Sequence, residues 1–298
     1  MKIKIDKKDE TAVIGDISWS SDDETNGEEM DFSSLKLYKI GSHVKVTDGG
    51  KVRYLGLIVS VDENTRPPHS YKALDFSYNL KGQDIIQFKN MSAADAIKKL
   101  MGRQGITCKI DCKLPTKITK IYKDTVVNIL KNILKKCAND QGKKYFFEVN
   151  GTDVCIREKN KMKISPTFMM ADDGAISRSI EELKNEVMVV KDNKILATAT
   201  GKDTKQLGVV RYIDEDNDIS KAKAQGEAKT QLKQMDRVKS SKSVTLLVTK
   251  GYWDIRKGRL IKLNGGGLKG WYNIRSVSHS IEGTTHKVNI EVSWSGKL

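Results

Sequence analysis

DTVVNILKNILKKCANDQGKKYFFEVNGTDVCI, residues 124–156, changes its period half-way, and that change decides the fold class. In the first half Val126, Val127, Leu130, Ile133, Leu134 and Cys137 recur at helical spacing and make one broad apolar stripe. Asp124 is a good N-cap before the stripe, and Gly142 is a stop after it. In the second half Tyr145–Val149 and Val154–Ile156 flank Asn150-Gly151, a pair that tolerates the left-handed backbone of a tight hairpin turn. Upstream, Ser92 followed by Asp95 resembles a capping box. Ala96, Ile97, Leu100 and Met101 then share a helical face, and Gly102 and Gly105 end it. Leu114-Pro115 opens an extended segment reaching Lys123. Residues 83–162 therefore predict an inserted α+β module, with two amphipathic helices over one face of a small sheet.

On both sides of this module the pattern is β. Ala12–Ser18, His43–Thr47 and Val52–Val61 alternate and are divided by Thr25-Asn26-Gly27 and Asp48-Gly49-Gly50. Downstream, residues 164–183 read as irregular. Glu186–Val190, Lys194–Thr200 and Gly208–Ile213 read as strands, and Asp214–Asp218 as an acidic turn. Ser220–Val238 is a polar helix with a thin stripe at Ala224, Ala228, Leu232 and Met235. Val244–Val248, Leu260–Leu263, Trp271–Val277 and Lys287–Val292 close the chain as strands. The expected class is α+β. Two small β-barrel domains, residues 1–82 and 163–298, flank the module at 83–162, and the second carries an inserted helix at 220–239. No fixed-period repeat is visible.

The net charge of +15 over 298 residues is unevenly placed: residues 1–35 sum to −6 and the rest to +21. A basic body implies an anionic partner, whether nucleic acid, a phosphate-rich surface or an acidic protein ring. Asp16 to Asp31 contains no Lys or Arg. It is either a solvated loop or a surface that mates with a basic face of a neighbouring subunit. Cys108, Cys112, Cys137 and Cys155 form no CxxC pair and have no nearby His, so they read as small buried residues of a reducing compartment. MKIKIDKKDE lacks the apolar core of a signal peptide, and no run of about 18 apolar residues offers a membrane anchor. The protein is expected to be made in the cytosol and to leave it, if at all, without the Sec route.

No catalytic, metal or cofactor residue is nominated. Gly265-Gly266-Gly267-Leu268-Lys269-Gly270 fails as a phosphate cradle, because Trp271-Tyr272 and a strand follow where Ser or Thr and a helix are needed. His279 and His286 flank a turn at Glu282-Gly283 and approach each other across it, but lack a carboxylate or Cys companion at ligand spacing; ordinary strand histidines are expected. Asp22-Asp23, Glu28-Glu29 and Asp172-Asp173 sit in polar stretches that predict solvated loops rather than a pocket that raises a carboxyl pKa. The competing reading is nucleic-acid binding through Lys113, Lys117, Lys120 and Lys123, and through Lys229, Lys233, Arg237, Lys239 and Lys242. Aromatics are only 6% and are not interleaved with those runs, as base stacking requires.

Several motifs, taken in order, carry a resemblance. They are Ile17-Ser18-Trp19-Ser20 with Met30-Asp31-Phe32, then Ile40-Gly41-Ser42-His43-Val44, Tyr54–Val59 and Ala73–Leu80. Ile86–Ala93, Pro115–Tyr122 and Gly142–Phe146 follow, and the series ends with Ile255–Gly258, Gly267–Ile274, Val277-Ser278-His279 and Val288–Val292. In this order they resemble the baseplate hub proteins of contractile phage and phage-like tails. The nearest are the XkdQ/YqbQ-like hubs of prophages and tail-like bacteriocins, related to late control protein D. The resemblance implies a non-enzymatic homotrimer in which each subunit supplies two related barrels. The resulting ring of six would join a hexameric tail tube to a trimeric central spike, touch other baseplate proteins, and let DNA pass without binding it specifically. On that reading residues 11–80, 185–213 and 243–296 form the ring wall, and 84–160 decorate its outside. The particle's tail baseplate is the implied location. Trp19, Asp22, Asp23, Glu28, Glu29, Lys117, Lys120, Trp271 and Tyr272 are the residues expected at subunit or partner contacts.

Overall fold

The computed structural model describes residues 1–22, 27–216, 219–282 and 285–296. Asp23, the expected turn residues Thr25 and Asn26, the end of the acidic turn at 217–218, and Gly283 lie outside them. The first β-body contains β1 (Lys2–Ile5), β2 (Lys8–Asp9), β3 (Ile14–Ser21), β4 (Glu29–Ser34), β5 (His43–Asp48), β6 (Lys51–Asp62) and β7 (His69–Asp75). Its strands bury alternate residues because successive side chains face opposite ways. β5 buries Val44 and Val46 while exposing His43 and Lys45. Those valines pack with Ile3, Ile5, Met30, Phe32, Ile58 and Tyr71.

The module follows as β8 (Gln83–Ser92), α1 (Ala93–Arg103), β9 (Thr107–Ile110), β10 (Lys117–Thr125), α2 (Val126–Gln141), β11 (Tyr145–Asn150) and β12 (Asp153–Glu158). The Ser92 hydroxyl accepts from the Asp95 amide at 3.2 Å and caps α1. The cap of α2 is Thr125, not Asp124: its hydroxyl accepts from the Asn128 amide at 3.3 Å. Asp124 instead accepts from the Asn128 side chain. Gly142 ends α2 with φ 66°, a conformation that costs glycine nothing. One sheet was expected and two form, β8–β10 and β9–β12–β11. One core joins both sheets through Ile97, Leu100, Ile129, Leu130 and Ile133, all fully buried.

The second β-body departs further from expectation. Residues 164–183 contain a long strand, β14 (Thr167–Ser179), after β13 (Lys163–Ile164). Register shifts break its pairing with the next strand at three places, so no clean alternation marks it in the sequence. β15 (Glu186–Lys191), β16 (Lys194–Thr200), α3 (Thr204–Leu207), β17 (Arg211–Glu215) and α4 (Lys221–Met235) come next. They do not extend the main sheet as expected for a ring wall. β16–β15–β17 is a separate sheet, and α4 packs on it through Ala224 and Ala228 against Val187 and Val189. The body resumes with β18 (Val238–Lys250), β19 (Leu260–Gly265), β20 (Leu268–Glu282) and β21 (Thr285–Gly296).

The strand order is the same in the two bodies. The first runs β3-β4-β7-β6-β5-β1, and the second β14-β18-β21-β20-β19-β13. They differ in the last pair, antiparallel for β1/β5 and parallel for β13/β19. Local bonding repeats as well. Gly41 donates to the Ile58 carbonyl at 2.8 Å, and Ile58 donates to Ser42 at 2.9 Å. Gly258 donates to Ile274 at 2.8 Å, and Ile274 donates to Arg259 at 2.9 Å. The bodies are joined edge to edge by β20 and β3, with Val277 opposite Ser21 and Ser280 opposite Ser18, so a single 13-stranded ladder spans both.

Candidate functional site: a buried junction and the surfaces around it

Where β3 meets β20, the Trp19 ring lies between two others. It stacks on Trp253 at 4.5 Å and on His279 at 4.6 Å. Trp19 is 2% exposed and His279 0%. The histidines approach as their spacing predicts, with His279 Nδ1 3.1 Å from His286 Nε2 and His279 Nε2 2.9 Å from the Ile255 carbonyl. That carbonyl can only accept, so His279 carries its proton on Nε2 and accepts from His286 through Nδ1. Burial opposes a second proton, and it pulls His279 down to about 3 and His286 to about 4. Asp48 ties the first body to this cluster, its Oδ2 accepting from Tyr252 Oη at 2.6 Å and Trp253 Nε1 at 3.0 Å. Among the described residues, no group of three or more His, Cys, Asp or Glu is placed to hold a metal.

Beside the aromatic stack lies a buried set of charges drawn from all three bodies. Glu28 pairs with Arg256 at 3.0 Å. Asp75 accepts from the Glu28 and Ser77 amides at 2.9 and 3.0 Å. Arg256 also donates to the Trp253 and Arg53 carbonyls. Glu148, from the module, accepts from Arg157 at 2.5 Å and from Arg259 at 3.1 Å. Burial raises the Glu28 carboxyl to about 7, although Arg256 pulls the other way, and burial raises Asp75 as well. A cleft between the bodies is lined by Glu28, Asp75, Lys131, Phe146, Glu148 and Arg256. Such an arrangement fixes the relative position of three bodies through directional, charge-assisted bonds.

The nominated contact residues therefore separate. Trp19 and Glu28 are interior residues of this chain, not surface. The acidic stretch does meet basic residues, but they are its own: Arg256 takes Glu28, and Lys257 Nζ donates to the Asp22 carbonyl. Glu29 is half-buried and pairs with Lys72 at 2.6 Å. Lys117 and Lys120 are exposed on β10, Lys120 lying 5.8 Å from the Tyr122 ring centre. Trp271 is 40% exposed on β20, with Lys163 5.1 Å from its ring centre. Tyr272 is half-buried, meets Trp294 edge-on at 5.2 Å, and accepts from the Lys269 amide. Asp75, Glu148, Arg256 and Arg259 were missed. A charge inside the apolar run Tyr145–Val149 was the one available signal for Glu148.

The sequence profile of the YQBQ-like family matches residues 17–293. The chain belongs to the YQBQ-like family. No curated protein matches it. Among solved structures, this YQBQ-like chain is similar to the 43 kDa tail protein of prophage MuSo2 from Shewanella oneidensis. The identity is 15% and the TM-score 0.70, over 98% of this chain and 97% of that one. It is similar to the tail protein from Neisseria meningitidis MC58 at 14% identity and TM-score 0.72, over 98% and 95%. It also matches the E. coli c3393 protein at 9% identity and TM-score 0.55, over 98% and 76%. That protein is described as a type VI secretion component with structural similarity to T4 bacteriophage tail proteins gp27 and gp5. At these identities the likeness shows a shared fold, and it extends through all three bodies of the YQBQ-like chain.

Proposed function

We propose that this protein is a structural, non-enzymatic hub subunit in the baseplate of a contractile phage tail or tail-like bacteriocin. Three copies form a ring that joins a hexameric tail tube to a trimeric central spike. The observation that carries this reading is the repeated strand order β3-β4-β7-β6-β5-β1 and β14-β18-β21-β20-β19-β13, coupled edge to edge in one chain. A chain with two like bodies presents six like units from three copies, so one face can meet six-fold symmetry while the assembly remains three-fold. Each six-strand set curls into a barrel in the ring wall, and the module sits outside. The likeness of its fold to two tail proteins supports the assignment. The test is mass in solution, with and without the cognate spike. A mass of three chains and a stable complex with a spike trimer are expected. A monomer that binds neither spike nor tube contradicts the reading.

A further inference from the structure

We propose that the open edge of β10 takes up an extended segment of a partner protein as an added strand, one in which apolar and acidic residues alternate. This goes beyond the ring reading above and does not depend on it, because a single chain carries the whole site.

β8 and β10 form a sheet of two strands, so among the described residues each has one unpaired edge. The Val126 amide donates to the Gly82 carbonyl at 2.9 Å, one step beyond the pairing of Thr125 with Gln83. Bonded and non-bonded pairs alternate along an antiparallel ladder. Asp124 with Asp84 and Tyr122 with Ile86 therefore exchange bonds, while Lys123 with Ile85 and Ile121 with Gln87 do not. The amide and carbonyl groups of Ile121 and Lys123 point away from β8. They point into a groove. Residues 120–124 line it consecutively, whereas a strand seen from its face shows every second residue. Asn132, Lys135, Lys136 and Asn139, from one face of α2, make the floor, and residues 214–216 the far wall.

The side chains along this edge select the occupant. Lys117, Lys120 and Lys123 are exposed, and no carboxylate pairs with them among the described residues. Ile121 is 56% exposed and Ile85, diagonal to it on the same face, 61%. A strand added beside β10 sets one residue opposite Ile121 and the next but one opposite Lys123, so an apolar side chain covers the first and an acid meets the second. Main-chain bonds to the edge supply affinity and these alternate side chains supply selectivity. A second copy of the same edge is a poor occupant, because its lysines would face these. A nucleic acid is disfavoured as well. Its phosphates would run along Asp214, Glu215 and Asp216, and Tyr122, the aromatic ring of this strand, is buried rather than open for stacking. The opposite edge, β8, also borders a groove, but β8 and α1 alone line that one, so a strand there lacks a second wall.

The test uses the full chain and a labelled peptide of alternating Glu and Val, with a Lys and Val peptide and single-stranded oligothymidine as rivals, read by fluorescence anisotropy. The Glu and Val peptide is expected to bind and both rivals to bind more weakly. Ile121→Pro deletes a donor that the β8–β10 ladder does not use, so the fold is expected to stand while peptide affinity falls about tenfold. Gln87→Pro does the same to the β8 edge and is expected to leave affinity unchanged. Lys123→Glu, which keeps the backbone intact, is expected to weaken the Glu and Val peptide and favour the Lys and Val one. Amide exchange over residues 117–125 is expected to slow when the peptide is added. No binding by the parent chain, or equal binding by the parent and Ile121→Pro, overturns the proposal. Loss on Gln87→Pro instead assigns the contact to the wrong edge and overturns it too. Tighter binding of oligothymidine, lost in Lys123→Glu but kept in Ile121→Pro, replaces it with a nucleic-acid surface. None of these outcomes alters the mass of the assembly, so the ring reading stands or falls separately.

Discussion

Arg256 and His279 hold opposite kinds of charge problem a few residues from the same strand pairing, and each leaves a different mark on stability. His279 has an ordinary pKa near 6.5 when unfolded and about 3 when folded. Its contribution is therefore complete above about pH 6.5 and is lost as the pH falls, because the unfolded chain takes up a proton that the folded one refuses. His279→Gln is expected to flatten the loss of unfolding free energy between pH 6.5 and 4.5 by about 2 kcal/mol, read from urea titrations at each pH. Glu28 has the opposite sign. Its folded value of about 7 lies above the usual carboxyl range, so its contribution is complete below about pH 4.5 and is lost as the pH rises through 7. Arg256 is what makes the ionised form tolerable. Arg256→Met leaves Glu28 buried without its partner, and the expected cost is about 3 kcal/mol at pH 8.5 and distinctly less at pH 5.5, where Glu28 can take a proton. An equal cost at both values would show that the pair does not carry the effect. Neither role was legible in the sequence. Glu28 lies in a stretch that looks like solvated acid, and its basic partner is more than two hundred positions away. The approach of His279 to His286 was legible, because a short turn between two strands forces it.

At the scale of elements, legibility followed locality. The helices α1 and α2 announce themselves through apolar spacing, side-chain caps and glycine stops, all within a few residues of one another. Thr125→Ala is expected to cost about 1 kcal/mol through loss of the bond to the Asn128 amide, measured by thermal or chemical unfolding. β14 was illegible because its register shifts and its Asp172-Asp173-Gly174 stretch destroy the alternation that marks a strand. The strands of 186–215 were legible as strands and the Ala224 and Ala228 stripe of α4 as a stripe, but not their separate sheet, since nothing local to either segment says that the stripe packs on Val187 and Val189. The repeated glycines give a paired test. Gly41 and Gly258 occupy equivalent positions with φ 89° and 79°. A side chain at Gly41 meets nothing nearby, whereas one at Gly258 runs into the Phe146 ring of the module. Gly41→Ala is expected to cost about 1 kcal/mol for its backbone alone, and Gly258→Ala clearly more, because the module must also shift. Similar costs would mean that Phe146 does not seat against the second body.

At the scale of the molecule, the chain couples two like β-bodies through β20 and β3, locks them with Trp19, Trp253 and His279, and ties the module to the second through Glu148 and Arg259. Burial of an aromatic side chain this large contributes several kcal/mol, so the internal junction is a rigid unit rather than a hinge. Rigidity suits a part that must present repeated surfaces at fixed angles. Order of motifs along the sequence carried the resemblance to tail hubs and with it the expectation of two related β-bodies, while their common strand order became visible only in the fold, since the two bodies share positions rather than residues. The most direct test is an image of the assembled protein. Averages of particles formed with the cognate spike are expected to show a ring with a central hole, three-fold in its outer features and close to six-fold at its wall. Single chains on the spike, or a ring whose wall lacks six like units, would contradict the account.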